Sequence, residues 1–333
     1  MRLTHSSILM TDRSSAGEAR RAAVSVALSL GFDEHRRSDI GIVATEAANN
    51  IILHAGSGEF LVCPFQHGSA VWLDLLALDN GPGIGNVSRA LEDGYSTIGT
   101  AGQGLGAIQR VSDASSLYSL PQRGTVFWSR FKVSAQRDQS YGAVNIPMKG
   151  ETVCGDAFLA LPGPSKSLYM VVDGLGHGVY AAEAANEAVS IVSGSVNESA
   201  TEIVTRAHDA LKKTRGAAMA VTIVEHERKL VTHAGIGNIG SALVSGTVLR
   251  SLISQNGTLG AMLPRVHEYN YPLGENSSLI MCSDGLGSKL SMSGYPGLQN
   301  RHPQLIAGVL YRDFSRRRDD ATVLFASLGG GAQ

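Results

Sequence analysis

The chain has 333 residues, of which 43% are hydrophobic and 17% charged; that is about two domains' worth of length and enough apolar material for two cores, so disorder is excluded as the main state. Its net charge of −1, from 28 basic and 29 acidic residues, lacks the basic surplus of a nucleic-acid binder. The 39 glycines follow no Gly-x-y period, which excludes collagen and points to turns and close backbone approaches.

A short strand is expected over Leu3 to Met10, followed by Thr11, Asp12 and Ser14 as N-caps for a helix over Ser15 to Leu30. Gly31 ends that helix, and Asp33 or Ser38 opens a second one that runs through His54. Strands then alternate with turns at Glu59 to Phe65, Ala70 to Leu78, Ser115 to Ser119 and Thr125 to Val133, a pattern that predicts an α+β layer sandwich. The polar stretch Lys132 to Tyr141 carries no apolar period and reads as a linker. Beyond it, strands are expected at Ala157 to Leu161, Ser167 to Val172, Ala217 to Glu225, Leu230 to Gly235, Ser241 to Val244, Ser278 to Cys282 and Thr322 to Ser327. Helices are expected at Tyr180 to Val192, Ala200 to Lys213 and Pro303 to Asp313. Two packed sheets flanked by helices is the architecture this composition favours. No apolar run is long enough to span a membrane, and Met1 to Asp12 lacks the core of a signal peptide. Cys63, Cys154 and Cys282 are far apart without C-x-x-C spacing, which fits a reducing cytoplasm better than a disulfide framework or a zinc site.

Two constellations carry chemistry. In the first half, Glu46, Asn50 and His54 fall at i, i+4 and i+8 on one helical face. The neighbouring positions Ile40, Val43, Ala44, Ala47 and Ile51, with Ile42, Ile52 and Leu53 elsewhere, predict a helix apolar nearly all round and buried. A strand then runs into Asp79-Asn80-Gly81-Pro82-Gly83, where a carboxylate at a strand end can accept a donor from a base. Further on, Gly102-Gln103-Gly104-Leu105-Gly106 opens an apolar helix, whose glycines expose N–H groups suited to phosphate. Gly124-Thr125 precedes the last strand of this half. Each signal is weak alone, and a buried helix can satisfy its polar groups on neighbouring backbone; order and spacing make the set specific.

The set resembles the GHKL ATPases with their Bergerat nucleotide site, over residues 1–133. The resemblance implies an α/β sandwich in which Asp79 reads the adenine amino group with Gly81, Gly83 and Thr125 around it. Asn50 would hold Mg²⁺ beside ATP, and Gly102, Gly104, Leu105 and Gly106 would wrap the phosphates. The lid, Asn86 to Ala101, is short, and no helical hairpin with a phospho-accepting histidine marks a histidine kinase. The Glu46-x-x-x-Asn50-x-x-x-His54 version is similar to anti-sigma-factor serine kinases and the stressosome switch kinase, in which Glu46 would be the general base toward a protein hydroxyl.

In the second half, Asp156, Asp173, Asp284, and Asp319 with Asp320, stand at strand boundaries, so antiparallel pairing can bring them to one rim. Asp-Gly is common in turns, and any one of these reads as such. Four together would repel unless hard cations neutralise them. Gly155-Asp156, Asp173-Gly174-Leu175-Gly176-His177-Gly178, Ser283-Asp284-Gly285 and Asp319-Asp320-Ala321-Thr322 resemble the metal-dependent serine/threonine phosphatases of the PPM family, in the sporulation and stress-response variant. The match runs over residues 142–328, with a linker at 134–141. The resemblance implies a β-sandwich flanked by helices and a Mn²⁺ or Mg²⁺ pair. Asp173 would bridge the metals as the central catalytic ligand, the Gly174 carbonyl would sit on one of them, Asp284 and Asp319 would hold the other, and Asp156 would ligate directly or through water. One departure is Gly155, where larger members carry an acidic residue. His177 reads as a loop-fixing residue rather than a general acid, and Arg316-Arg317-Arg318 as a solvated face able to attract a phosphoprotein.

The combined expectation is a cytoplasmic switch with two opposing activities on one client. That client would be a STAS-domain antagonist of the anti-anti-sigma or stressosome type, with a sigma factor or a downstream phosphatase as further partners. The alternative is a phosphatase whose first half only binds a partner under ATP control. Neither nucleic acid nor membrane is expected as a partner.

Overall fold

The computed structural model describes residues 4–85, 104–135, 139–263, 265–287 and 290–329. The chain divides into two compact units, Met1–Arg137 and Asp138–Gln333.

The first unit opens with β1 (Ser6–Met10), α1 (Arg13–Ser29) and α2 (Glu34–Ala55). Asp12 caps α1 by accepting from the Ser14 and Ser15 N–H groups, and Asp33 caps α2 through Arg36 N–H. Then follow β2 (Gly58–His67), β3 (Ala70–Asp79), α3 (Gly104–Val111), β4 (Ala114–Leu120) and β5 (Gly124–Lys132). The strands form one antiparallel sheet in the order β1-β2-β3-β5-β4. Alternate strand residues, among them Met10, Phe60, Val62, Leu73, Leu75, Phe127 and Phe131, pack on the alanine-rich faces of α1 and α2. Asp74 receives both the Nε and Nη2 donors of Arg130, at 2.8 and 2.7 Å, and the guanidinium lies about equally over Trp72 and Trp128.

The second unit contains β6 (Tyr141–Ile146), β7 (Asp156–Leu161), β8 (Lys166–Gly174), α4 (Val179–Val192), α5 (Ala200–Leu211), β9 (Ala217–Glu225) and β10 (Leu230–Ile236). It continues through β11 (Gly240–Ser245), β12 (Val248–Ser251), β13 (Tyr269–Pro272), β14 (Ser278–Cys282), α6 (Pro303–Phe314) and β15 (Ala321–Ser327). Two five-stranded sheets result, β13-β10-β9-β8-β7 and β12-β11-β14-β15-β6. The first buries Leu168, Met170, Val172, Met219 and Val221 against α4 and α5; α6 covers β6 and β15. This is the α+β architecture expected, with both sheets sandwiched between helices.

Three strands depart from the sequence reading. Tyr141, taken as the last linker residue, opens β6, which pairs with β15 from Tyr141↔Ala326 to Ala321↔Ile146. A Cβ on its Gly142 would stand 2.3 Å from Gln304 Cα, so the glycine serves contact with α6. The Gln304 side chain brackets Ala143, accepting from its N–H and donating to its carbonyl, both at 2.8 Å. The edge strands β12 and β13 are four residues each and mostly exposed, too short to show a period.

Candidate nucleotide and phosphatase sites

The first site lies where α2 meets the ends of β3 and β5. Asp79 is the last residue of β3, and its Oδ1 accepts from Gly81 N–H at 2.8 Å and Thr125 N–H at 3.1 Å. The glycines around it are sterically required. A Cβ on Gly81 would stand 2.6 Å from Ala55 Cβ, one on Gly83 2.1 Å from the Leu120 carbonyl oxygen, and one on Gly124 2.0 Å from that of Asp79. Ser119 Oγ, accepting from Ile84 N–H at 2.7 Å and 2.9 Å from Thr125 Oγ1, ties the turn to the β4–β5 hairpin. A glycine cradle with an oriented carboxylate fits a purine nucleotide.

Along α2, Glu46 and Asn50 are half-buried and His54 is exposed. The expectation of a helix buried all round is corrected: Ile42 is 48% exposed and Leu53 42%. Only the face from Ile40 to Ile51 enters the core. Glu46 and Asn50 therefore need no protein partner and border that face, open to a ligand. Gly102 and the lid Asn86 to Ala101 fall outside the described residues; Gly104, Leu105 and Gly106 form the first turn of α3.

In the second unit, β7 and β8 pair so that Asp156 lies directly opposite Asp173. Asp156 is buried, receives the Ser283 and Thr322 side chains, and keeps Oδ2 without a hydrogen-bond partner. Burial, and the facing carboxylates Asp320 and Asp319, push it up to about 7. Burial, then Asp156, Asp284 and Asp319, push Asp173 up to about 9. Asp284, just beyond β14, is raised by burial and Asp319, and its Oδ2 accepts from Asn238 Nδ2 at 2.7 Å. Three carboxylates with raised pKa and an orphaned oxygen form a set that is short of positive charge. All its donors are hard oxygens, which suits Mg²⁺ or Mn²⁺. Among the described residues no three His, Cys, Asp or Glu side chains converge as a ready-made metal site; the carboxylates are near enough to perturb one another without sharing a point.

Asp173-Gly174 ends β8 in extended backbone, whereas Asp284-Gly285 form a turn closed by Leu286 N–H donating to the Ser283 carbonyl at 3.2 Å. A Cβ on Gly174 would stand 2.1 Å from the Ala181 carbonyl oxygen, and one on Gly285 1.9 Å from that of Asp320. Asp319 is exposed at the rim, whereas Asp320 is occupied in holding the Met148 and Gly155 N–H groups at 2.8 and 2.9 Å. Gly155 has no room for the acidic residue of larger relatives: its Cβ would lie 2.6 Å from Asp320 Oδ2 and 2.8 Å from Ala181 Cβ. His177 Nδ1 lies 2.6 Å from Glu151 Oε1, an anchor for the loop. Asn238, Glu151 and the structural role of Asp320 escape the sequence reading, because each acts through a partner distant in the chain.

A model of histidine kinase-like ATPase domains matches residues 10–129, and the Stage II sporulation protein E (SpoIIE) model matches residues 164–328. The serine/threonine-protein kinase RsbT of Bacillus subtilis is 36% identical over 107 residues, 32% of this chain and 80% of RsbT. The chain belongs to the RsbT-like kinase family in its first unit, and its second unit matches the SpoIIE family model. The phosphoserine phosphatase RsbX of Bacillus subtilis is 25% identical over 182 residues, 54% of this chain and 90% of RsbX. A solved structure described as "The bacterial stressosome: a modular system that has been adapted to control secondary messenger signaling" aligns with TM-score 0.53 and 26% identity, over 57% of this chain and all of that one. This RsbT-like and SpoIIE-type fusion is a serine/threonine phosphatase with a kinase-like domain. No helix among its described residues is long and apolar enough to cross a membrane.

Proposed function

We propose that the chain sets the phosphorylation level of one regulatory protein by two opposing activities, acting in the cytoplasm. Its second unit removes phosphate from serine or threonine, and its first transfers phosphate to a serine of the same or a related client. A STAS-domain protein of the stressosome type is the client in this reading, in line with the likeness to a solved structure described as a bacterial stressosome. The observation that carries the phosphatase half is the Asp156–Asp173 register pair with its unpartnered buried oxygen.

Asp156, Asp173, the Gly174 carbonyl, Asp284 and Asp319 would hold Mg²⁺ or Mn²⁺, which supplies a nucleophile at neutral pH and neutralises charge on the phosphoryl oxygens. Around them Asn238 fixes the orientation of Asp284, and Asp320 fixes the segment carrying Gly155 and Asp156. Glu151 holds His177 at the loop beyond Asp173. In the first unit ATP supplies the phosphoryl group. Asp79, with Oδ1 held by two backbone donors, accepts from the adenine amino group. Asn50 orients Mg²⁺, and Glu46, one turn earlier on α2, takes the proton of the attacking hydroxyl.

The test is phosphate transfer from γ-labelled ATP to a candidate STAS-domain client. The wild-type chain should label the client, and Glu46→Gln should bind ATP normally while transfer falls about 10²-fold or more, since an amide cannot accept the proton. Saturable client binding without transfer by the wild type would make the first unit a binding module. Transfer by Glu46→Gln at the wild-type rate would remove Glu46 from the role of base.

A further inference from the structure

Arg215 stands in the turn between α5 and β9, and that turn is firmly built. The Thr214 N–H and hydroxyl both donate to the Leu211 carbonyl, at 2.9 and 2.8 Å, and Gly216 N–H donates to Thr214 Oγ1 at 3.0 Å. Gly216 has φ +85°, and a Cβ there would lie 2.4 Å from the Leu259 carbonyl oxygen, so only glycine fits directly after Arg215. The turn is also joined to the loop that follows Asp173, because Leu175 N–H donates to the Gly216 carbonyl at 3.0 Å.

Arg215 extends across that loop. Its guanidinium carbon lies 4.9 Å from the centroid of the Tyr180 ring. Its Nη1 lies 3.1 Å from where a Cβ on Gly176 would be, so the glycine leaves space that the guanidinium uses. Three other arginines of this unit pair with carboxylates, Arg206 with Glu198, Arg228 with Glu225 and Arg312 with Asp313, while Arg250 lies over Tyr271. Arg215 has no carboxylate partner among the described residues. The guanidinium presents its N–H donors in one plane, the geometry that matches phosphate, and the ring contact with Tyr180 holds it in place. Tyr180 is 62% exposed, so this contact holds the cation at the surface, within reach of a protein-borne group.

The geometry points to Arg215 as the residue that binds the phosphoryl oxygens of a phosphoserine or phosphothreonine client at the rim of the Asp173 site, with Tyr180 as its positioning residue. This rests on the phosphatase reading of the second unit. It gives the carboxylate-rich site a fixed cation from the chain itself, which repays part of the repulsion between an incoming phosphate dianion and the rim.

The full chain with Mn²⁺ is assayed on p-nitrophenyl phosphate and on a phosphoserine peptide, and inorganic phosphate binding is measured by calorimetry. Arg215→Ala should raise KM for both substrates and Kd for phosphate by about tenfold or more. Arg215→Lys should recover part of each loss, and the melting temperature should not move, because the side chain is exposed. Unchanged phosphate affinity and KM would overturn the assignment. So would a rise in KM for the peptide alone, which would place Arg215 on the client polypeptide instead of the phosphoryl group. Arg215-dependent phosphate binding without wild-type turnover of either substrate would leave the anion site standing and defeat the phosphatase reading instead.

Discussion

The two sites treat their key aspartates in opposite ways. Asp79 of the first unit has Oδ1 held by two backbone N–H groups, so its charge is compensated before any ligand arrives. Asp156 and Asp173 of the second unit face each other across a strand pair, Asp156 buried with its Oδ2 unpartnered and Asp173 half-buried. A carboxylate held by backbone donors is a recognition element: its orientation is set before a ligand arrives. Carboxylates that crowd one another are costly until a cation joins them. We read the first unit as a preformed nucleotide surface and the second as a set of carboxyls that holds protons until a cation takes their place.

The largest effect that would break this comparison is expected at Asp173. Asp173→Asn removes a charge from the centre of the proposed ligand set, and phosphatase turnover with Mn²⁺ should fall by about 10³-fold or more. ATP affinity, measured on the same preparation, should not change, since the two units have separate cores. Folding should survive, because the substitution relieves crowding. Near-normal turnover would refute the ligand assignment, and loss of ATP binding as well would show that the units act as one.

Acid sharpens the comparison. His5 is buried in the first unit beside Phe65, and burial lowers its pKa to about 3. A group with its folded pKa below the unfolded value near 6.5 supports the fold above that value and withdraws support as pH falls toward the folded one. Between pH 6.5 and 4.5 this costs the first unit about 2 kcal/mol. Asp156 and Asp173 have the reverse sign: raised to about 7 and about 9, they support the metal-free fold fully below the unfolded value near 4 and withdraw support as pH rises through their folded values. His233, buried against Thr222 Oγ1 and lowered to about 4, opposes them in part. Asp74 of the first unit, raised by burial, opposes His5 there; the His5 contribution should still weaken on acidification while that of Asp156 and Asp173 to the metal-free second unit grows. Both tryptophans, Trp72 and Trp128, belong to the first unit, so fluorescence in a denaturant titration follows it alone, and circular dichroism follows both. His5→Asn should flatten the acid slope of the fluorescence transition; an unchanged slope would show that His5 does not set it.

Much of the fold was legible because its local signals agree with its tertiary contacts. Of the cap candidates Thr11, Asp12 and Ser14 for the first helix and Asp33 or Ser38 for the second, Asp12 and Asp33 cap, and β9 and β14 coincide with the strands read over Ala217 to Glu225 and Ser278 to Cys282. β6 was not legible, because Gly142 and Asn145 break its pattern for reasons found elsewhere: room for Gln304, and a bond from Asn145 Nδ2 to Thr322 Oγ1 at 2.7 Å. The same holds at the sites. The order of aspartates and glycines was visible in one dimension, while the residues that orient them were not. Asn238 reaches Asp284 across 46 positions, Glu151 reaches His177 across 26, and Asp320 reaches Met148 across 172.

The smallest effect tests the preformed site itself. Asp79→Asn preserves shape and leaves one carbonyl oxygen to accept from Gly81 and Thr125 N–H. With the oxygen so engaged, the amide NH₂ takes the place of Oδ2 and presents donors where an acceptor is needed. A charge-assisted bond worth about 1.5–3 kcal/mol is lost, so ATP affinity should fall tenfold or somewhat more in calorimetry, with little change in melting temperature because both backbone donors keep their acceptor. Asp79→Ala should behave differently. It removes that acceptor as well, leaving two N–H groups at a part-buried turn, so it should lower stability by about 1–3 kcal/mol in addition to weakening ATP. If Asn and Ala lower stability alike, Oδ1 is not what holds the turn. If Asn binds ATP as the wild type does, the carboxylate does not read the base, and the contrast between a satisfied recognition aspartate and a frustrated metal-binding pair fails at its first term.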